Sequence, residues 1–191
     1  LAVIAYSGQL IGADQEYKNK VELLLLDAAN PIAKGKNETP GRDTQFEMFV
    51  ASCWKPIGFS CKLSSAPHAD IEFSLDGYEF EIEAKRLKSL TGMGRRLSKA
   101  KKQLKKSKDG GIIAMDVSAI LAGRQYGFRA QSLQQARSDL ERRLYAFMHD
   151  NLPLARKIGQ SKKSFAWLCY AQALYAVESV GVISTYQWKN I

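Results

Sequence analysis

Residues 67–89 read Pro-His-Ala-Asp-Ile-Glu-Phe-Ser-Leu-Asp-Gly-Tyr-Glu-Phe-Glu-Ile-Glu-Ala-Lys-Arg-Leu-Lys-Ser. Two stretches of alternating apolar and polar residues flank Asp76-Gly77, a pattern that predicts a β-hairpin with a two-residue turn. The apolar face of this hairpin carries Ala69, Ile71, Phe73, Leu75, Tyr78, Phe80, Ile82 and Ala84. On the polar face, the same register places Asp70 directly opposite Glu83, and Lys85 points the same way two residues further on.

The opposed carboxylates of Asp70 and Glu83 require a positive partner. Directly opposed side chains have Cβ atoms about 5 Å apart, and two carboxylates at that distance repel by roughly 3 kcal/mol at an effective dielectric near 20. Oxygen-only ligands favour a hard cation such as Mg²⁺. With Lys85 beside it, such a site suits cleavage of a phosphodiester, in which water must be activated and charge on phosphorus neutralised.

The pattern of Asp70 followed across the hairpin by Glu83-Ala84-Lys85 resembles the Asp…Glu-x-Lys signature of the PD-(D/E)xK nuclease superfamily. Ala69 stands where the name-giving proline would be. The resemblance covers residues 43–118, whose order of helix, hairpin with a third strand, helix and strand is similar to the superfamily's core, in particular to that of bacterial members. It implies an α/β fold with a restriction-endonuclease-like three-layer core, in which helices flank a mixed central β-sheet.

The resemblance also implies an activity, that of a metal-dependent deoxyribonuclease. Asp70 and Glu83 would bind Mg²⁺, for which Mn²⁺ can substitute, and Lys85 would assist the water or the phosphate. Double-strand cutters of the superfamily are often dimers, so a homodimer is one expectation. The alternative is a nucleic-acid-binding module that has the same fold without the chemistry.

A solvated acidic face is the competing interpretation of the hairpin itself. The register also sets Glu72 opposite Glu81 and Ser74 opposite Glu79, so the polar face carries more carboxylates than a metal site needs. Such a row of charges could simply face water.

Glu47 has two interpretations. Residues 43–54 predict a helix before the hairpin, and Glu47 resembles the glutamate that many superfamily nucleases extend from this helix to the metal. However, Thr44-Gln45-Phe46-Glu47 also matches a capping box, in which Glu47 would only bond back to the start of the helix.

Residues 95–108 predict a strongly basic helix after the hairpin, with an apolar face formed by Leu97, Ala100 and Leu104. Basic residues beside a phosphodiester-cleaving site are suited to holding a nucleic-acid backbone. The candidate backbone contacts are Arg86, Lys88, Arg95, Arg96, Lys99, Lys102 and Lys106. By resemblance, a glutamine or lysine of this helix points at the active site, which indicates Gln103 or, as the second choice, Lys99.

Composition favours an anionic partner. The net charge of +9 across 191 residues indicates nucleic acid first and an anionic membrane surface second. No apolar run reaches the length of a membrane span. Three cysteines without paired spacing predict a reducing, cytoplasmic compartment and neither a disulfide framework nor a zinc site. The length suits a single domain, 1–191.

The remaining segments are assigned by periodicity and by turn residues. Helices are predicted over 14–30 and 132–151, with a short continuation to 158. Strands are predicted over 59–63, 112–118 and 182–188, and residues 119–130 are expected to be irregular. Residues 164–177 are apolar on both faces and could form a central strand or a buried helix, of which the aromatic content favours the strand.

Overall fold

The computed structural model describes residues 15–28, 40–54, 60–64, 68–104, 107–123, 127–159, 165–178 and 180–190. The helices are α1 (Gln15–Ala28), α2 (Pro40–Trp54), α3 (Met93–Leu104), α4 (Ser118–Ala122), α5 (Leu133–Asp150) and α6 (Leu152–Gly159), with a 3₁₀ turn at Leu90–Gly92. The strands are β1 (Ser60–Leu63), β2 (Ile71–Leu75), β3 (Tyr78–Arg86), β4 (Gly111–Asp116), β5 (Phe128–Ala130), β6 (Phe165–Val177) and β7 (Gly181–Asn190).

The fold is α/β, as predicted, with helices flanking a mixed sheet. The described strands form a seven-stranded sheet in the order β1-β2-β3-β4-β6-β5, and β7 pairs with β6. The pairs β1–β2, β2–β3 and β6–β7 are antiparallel, whereas β5 and β6 run parallel. The chain divides into two compact units, which are described separately below.

The first unit holds the described residues up to Lys85, together with Lys102–Ile112. Its centre is the predicted hairpin, which has the predicted register: Ile71 pairs with Ile82, and Leu75 pairs with Tyr78. Asp76 and Gly77 both have positive φ, at 50° and 83°, as a tight two-residue hairpin turn requires.

The core of this unit forms where the hairpin's apolar face meets its neighbours. Ile71, Ile82 and Leu63 are fully or almost fully buried, and so are Met48 and Val50 of α2. The ring of Phe73 stacks on Trp54 at 5.7 Å and on Phe80 at 5.2 Å between centroids. Helix α1 packs against α2, and α2 also contacts β1.

The second unit holds Arg86–Lys101 and the described residues from Ile113 onward. Helix α5 packs on β6 and β7 through Ala136, Leu140, Leu144 and Phe147, all of which are buried. Its N-terminus is capped by Ser132, whose hydroxyl accepts a hydrogen bond of 3.1 Å from the Gln135 N–H. Asp139 accepts a 2.8 Å hydrogen bond from the hydroxyl of the fully buried Tyr175, which ties α5 to β6.

Most predicted elements are present, and residues 165–177 form a strand and not a helix. One prediction is wrong: within the segment 119–130, which was expected to be irregular, residues 119–122 belong to α4 and residues 128–130 form β5, which pairs in parallel with the end of β6. A strand of three residues, such as β5, is too short to show a recognisable alternation of apolar and polar residues. It forms because it can pair with β6. The described part of the basic helix ends at Leu104, and Ser107 and Lys108, which were predicted to belong to it, are not helical.

Gly111, at the start of β4, has no room for a side chain. A Cβ atom there would lie 2.9 Å from Leu104 Cδ2 and 3.0 Å from the backbone oxygen of Glu81. We expect Gly111→Ala to lower the free energy of unfolding by about 1–3 kcal/mol, because the close contacts must be relieved by shifts in a packed core. Urea denaturation of the full chain measures this change.

Gly94→Ala is the matched control, since a Cβ at this helical position would meet nothing within 4 Å. It should leave stability unchanged or raise it by about 0.5–1 kcal/mol, as alanine is the better helix former. Equal stability of the wild type and Gly111→Ala would contradict the close packing at β4.

Candidate active site on the hairpin

The hairpin register brings Asp70, Glu83 and Lys85 together. Asp70 immediately precedes β2, and its Oδ2 accepts a 2.9 Å hydrogen bond from the Ala84 N–H across the hairpin. The Lys85 ammonium donates to the same oxygen at 3.2 Å and forms an ion pair with Glu83 Oε1. In this structure the positive charge expected between the two carboxylates is therefore that of Lys85.

Glu83 lies on the nominally polar face of the hairpin, yet its exposure is 0%. Burial raises its pKa to about 7, the charge of Asp70 adds to the rise, and Lys85 opposes it. Its Oε2 accepts no hydrogen bond from any described residue. Glu83 is thus a buried carboxyl with a pKa of about 7, and among the described residues its Oε2 has no donor.

Lys85 remains a cation at neutral pH. Burial alone would lower the pKa of its ammonium, but Asp70 and Glu83 more than offset this effect, so that its pKa is above the ordinary value. A charged donor is therefore held between two carboxyls in a largely buried place.

Glu47 belongs to the same cluster. Helix α2 begins at Pro40, so Thr44 lies inside it and does not cap it, and the capping-box interpretation of Glu47 is wrong. Burial raises the pKa of Glu47, the charge of Asp70 raises it further, and Lys20 and Lys85 act against this. The charge of Glu47 in turn adds to the raised pKa of Glu83.

The solvated-face interpretation holds only for the turn end of the hairpin. Glu79, two residues from the turn, is 67% exposed and lies 3.7 Å from the ammonium of Lys108. Glu72 is half-exposed and accepts a 2.9 Å hydrogen bond from the Ser64 hydroxyl, while its partner Glu81 is buried. The three glutamates and Lys108 line a groove of about 410 Å³ that His68 also borders. The acidic row is therefore solvated at one end and buried at the other.

The basic residues that were predicted to contact a nucleic-acid backbone differ in their exposure. On α3, Met93, Leu97, Ala100 and Leu104 are buried, whereas Arg95, Lys99 and Lys102 are exposed and Arg96 is half-buried. Lys88 is exposed, and Lys106 lies outside the described residues. Arg86 forms an ion pair of 2.9 Å with the buried Asp116 at the end of β4, so its charge is already matched.

Gln103 is half-buried on α3, in the same compact unit as the hairpin. Its Oε1 is buried and accepts no hydrogen bond from the part of the chain described. A buried amide oxygen without a donor is costly. Gln103 therefore has an acceptor available for a ligand, whereas the exposed Lys99, its alternative, belongs to the other unit.

Sequence reasoning missed Lys20, a buried lysine on α1 that donates a 2.6 Å hydrogen bond to Glu47 Oε2. A signal for it was present. Residues 17, 20, 21 and 24 follow helical spacing, and Lys20 is the charged member of an otherwise apolar stripe. A lysine in that position must find a buried partner or lose its charge.

The donor set can be compared with what Mg²⁺ requires. Within the described ranges, no group of three or more His, Cys, Asp or Glu side chains is arranged to hold a metal ion. Mg²⁺, however, is commonly held by one or two carboxylates and keeps several waters. Asp70 and Glu83 provide two carboxylates, and one oxygen of Glu83 is buried with no donor in the part of the chain that the structure describes. The residues present therefore fit Mg²⁺.

Comparisons with known proteins add no further guide to the site: no protein-family model and no curated protein matches this chain. Among the described residues, no helix combines the length and the apolar character needed to cross a membrane.

The raised pKa of Glu83 predicts an unusual pH dependence of stability. Between the ordinary value of 4.5 and about 7, the folded chain binds more protons at Glu83 than the unfolded chain does. Stability contributed by the protonated carboxyl is therefore present below pH 4.5 and is lost as the pH rises through 7. Without divalent cations, Glu83→Gln should reduce the loss between pH 5 and pH 8 by about 1–3 kcal/mol.

Urea denaturation at the two pH values, with a chelator present, measures the effect. Glu79→Gln on the same strand is the control, because Glu79 is exposed. If Glu83→Gln and the wild type lose equal stability between pH 5 and pH 8, Glu83 has an ordinary pKa in the folded protein, and its burial does not raise that pKa.

Proposed function

We propose that this protein is a metal-dependent nuclease of the PD-(D/E)xK type, which hydrolyses phosphodiester bonds in DNA. The observation that carries the proposal is the fully buried Glu83, which lies with Asp70 and Lys85 in one cluster and keeps a carboxyl oxygen without a hydrogen-bond donor in the described structure. Burying a carboxyl in this state is unfavourable. A bound cation would remove that cost.

Asp70 and Glu83 are the proposed ligands of Mg²⁺, with Mn²⁺ as a substitute. When bound, such an ion supplies Lewis-acid chemistry, that is, a more acidic water and neutralisation of charge on phosphorus. The Ala84 N–H holds Asp70 in place at 2.9 Å, so the carboxylate is oriented before any ligand arrives. Glu47 and Gln103 are the further site residues in this proposal.

Lys85 assists the water or the phosphate. Its ammonium has three donors, of which one is directed at Asp70 at 3.2 Å and another pairs with Glu83. Because its pKa is raised, the group stays charged at neutral pH and can stabilise negative charge developing on a phosphate oxygen.

The charge distribution supports DNA as the partner. The chain carries a net charge of +9, and α3 exposes Arg95, Lys99 and Lys102 on the side opposite its buried apolar residues. Such a face can contact phosphates without reading sequence. We further propose a homodimer as the arrangement that cuts both strands, and a cytoplasmic location, in keeping with three cysteines that lack the paired spacing of a disulfide framework.

One observation favours a second candidate, a nucleic-acid-binding module without catalysis. The Lys85 ammonium already pairs with both Asp70 and Glu83, so the carboxylates have a counter-charge of their own. In that case the basic residues would bind DNA and no cation would be needed.

Lys85→Ala separates these two functions. If the protein is a nuclease, the variant should cleave supercoiled plasmid and single-stranded DNA at least about 100-fold more slowly in Mg²⁺, because an electrostatic group near the reacting phosphate is lost. DNA binding, measured by fluorescence anisotropy in a chelator, should remain. Lys62→Ala, at an exposed position on β1, is the control and should cleave as the wild type does.

Equal cleavage by wild type and Lys85→Ala would indicate a contaminant or another active site. No cleavage by the wild type in either Mg²⁺ or Mn²⁺, together with DNA binding, would favour the binding module.

The exposed face of α3 can be tested through salt dependence. Each phosphate contact that is lost should reduce the slope of log K against log salt by about 0.9 for duplex DNA. The double variant Lys99→Gln/Lys102→Gln should therefore bind more weakly at low salt and with a slope smaller by about 2. An unchanged slope would show that these two lysines do not contact the DNA backbone.

A further inference from the structure

Lys20 is an unusual residue for an amphipathic helix, because it is buried. Its exposure is 7%, and its ammonium lies 2.6 Å from Glu47 Oε2 and 3.9 Å from Glu16 Oε1. An ammonium group is removed from water only at a considerable cost, unless hydrogen bonds and opposite charge replace the lost hydration. The short bond to Glu47 provides this replacement.

Glu47 connects Lys20 to the hairpin. Helix α1 packs against α2, which brings Lys20 to Glu47 although 27 residues separate them in sequence. The charges of Asp70 and Lys85 act on the pKa of Glu47, and the charge of Glu47 acts on the pKa of Glu83. The cluster thus holds three carboxyls, Glu47, Asp70 and Glu83, and two ammonium groups, Lys20 and Lys85.

We propose that Lys20 is a positioning residue of the active site, which orients the Glu47 carboxylate toward the Asp70–Glu83 cation site. The inference rests on the proposed function. A carboxylate bonded through one oxygen is restricted in its rotation, so its other oxygen is presented in a defined direction. Groups that hold a ligand or a near-ligand in this manner commonly change cation affinity or activity about 10–100-fold when they are removed.

A purely structural role for the pair is the competing explanation. Buried ion pairs can often be replaced by apolar residues at no loss of stability, so a stabilising contact alone does not require a lysine here. The two roles differ in what they predict. A structural pair affects unfolding, whereas a positioning residue affects cation binding in the folded protein.

Lys20→Met tests the proposal, with Mg²⁺ titrated calorimetrically into the full chain and DNA cleavage measured against Mg²⁺ concentration. We expect Mg²⁺ to bind about 10–100-fold more weakly, and the Mg²⁺ concentration for half-maximal cleavage to rise by a similar factor. Lys20→Arg, which keeps the charge, should recover part of the affinity. In a Glu47→Gln background, Lys20→Met should add little, because the two residues act through one bond.

Lys18→Met is the matched control, since Lys18 is exposed on the same helix two residues away. Thermal unfolding of each variant checks that it is folded. If Lys20→Met does not fold, Lys20→Gln, which keeps a hydrogen-bond donor without the charge, replaces it and is judged by the same criteria.

The outcomes separate this inference from the proposed function. If the wild type binds Mg²⁺ and cleaves DNA while Lys20→Met behaves like Lys18→Met, or binds Mg²⁺ more tightly, the positioning role is wrong and the nuclease stands. If Lys20→Arg keeps the thermal stability that Lys20→Met loses but does not recover the affinity for Mg²⁺, Lys20 is structural only. If the wild type neither binds Mg²⁺ nor cleaves, the proposed function fails, and the role of Lys20 with it.

Discussion

The pairing of Ile71 with Ile82 determines both the core of the first unit and the composition of the candidate site. Side chains alternate between the faces of a strand, so a slip of one residue would move the isoleucine of the slipped strand to the opposite face and a neighbouring carboxylate into the apolar core. In the observed register, Ile71, Phe73 and Ile82 lie in the core, while Asp70, Glu83 and Lys85 meet on the other face. Folding and site assembly therefore depend on the same hydrogen bonds.

The cluster around Glu83 combines charged groups, each of which would be costly to bury alone. Removal from water raises the pKa of both Glu83 and Glu47, and the charge of Asp70 raises them further. Lys20 opposes the rise for Glu47 through its 2.6 Å contact, and Lys85, which pairs with Glu83, opposes the rise for both carboxyls. The balance places the pKa of Glu83 at about 7, so that a bound cation, which favours the ionised form, would change the protonation of this carboxyl near physiological pH.

Net charge by itself does not identify the residues that meet a polyanion. Arg86 directly follows Lys85 in sequence, yet its guanidinium pairs with the buried Asp116, whose other oxygen accepts a 2.9 Å hydrogen bond from the Ser118 N–H. Lys20 is buried against Glu47. The exposed cations of α3, by contrast, lie opposite its apolar residues, as the amphipathic pattern predicts. Which cations remain available thus depends on the partners that the fold brings to each one.

The sequence by itself determined the hairpin, its Asp76-Gly77 turn and its register, and hence the meeting of Asp70, Glu83 and Lys85. These features depend on the alternation of apolar and polar residues and on the preferred conformation of the Asp-Gly turn, both of which lie within about 20 consecutive residues. Tertiary structure alone decided that β5 forms, that Glu83 is buried on a polar face, and that Lys20 joins Glu47. Each of these depends on packing between distant segments, and burial and charge pairing are properties of that packing that no single stretch of sequence contains.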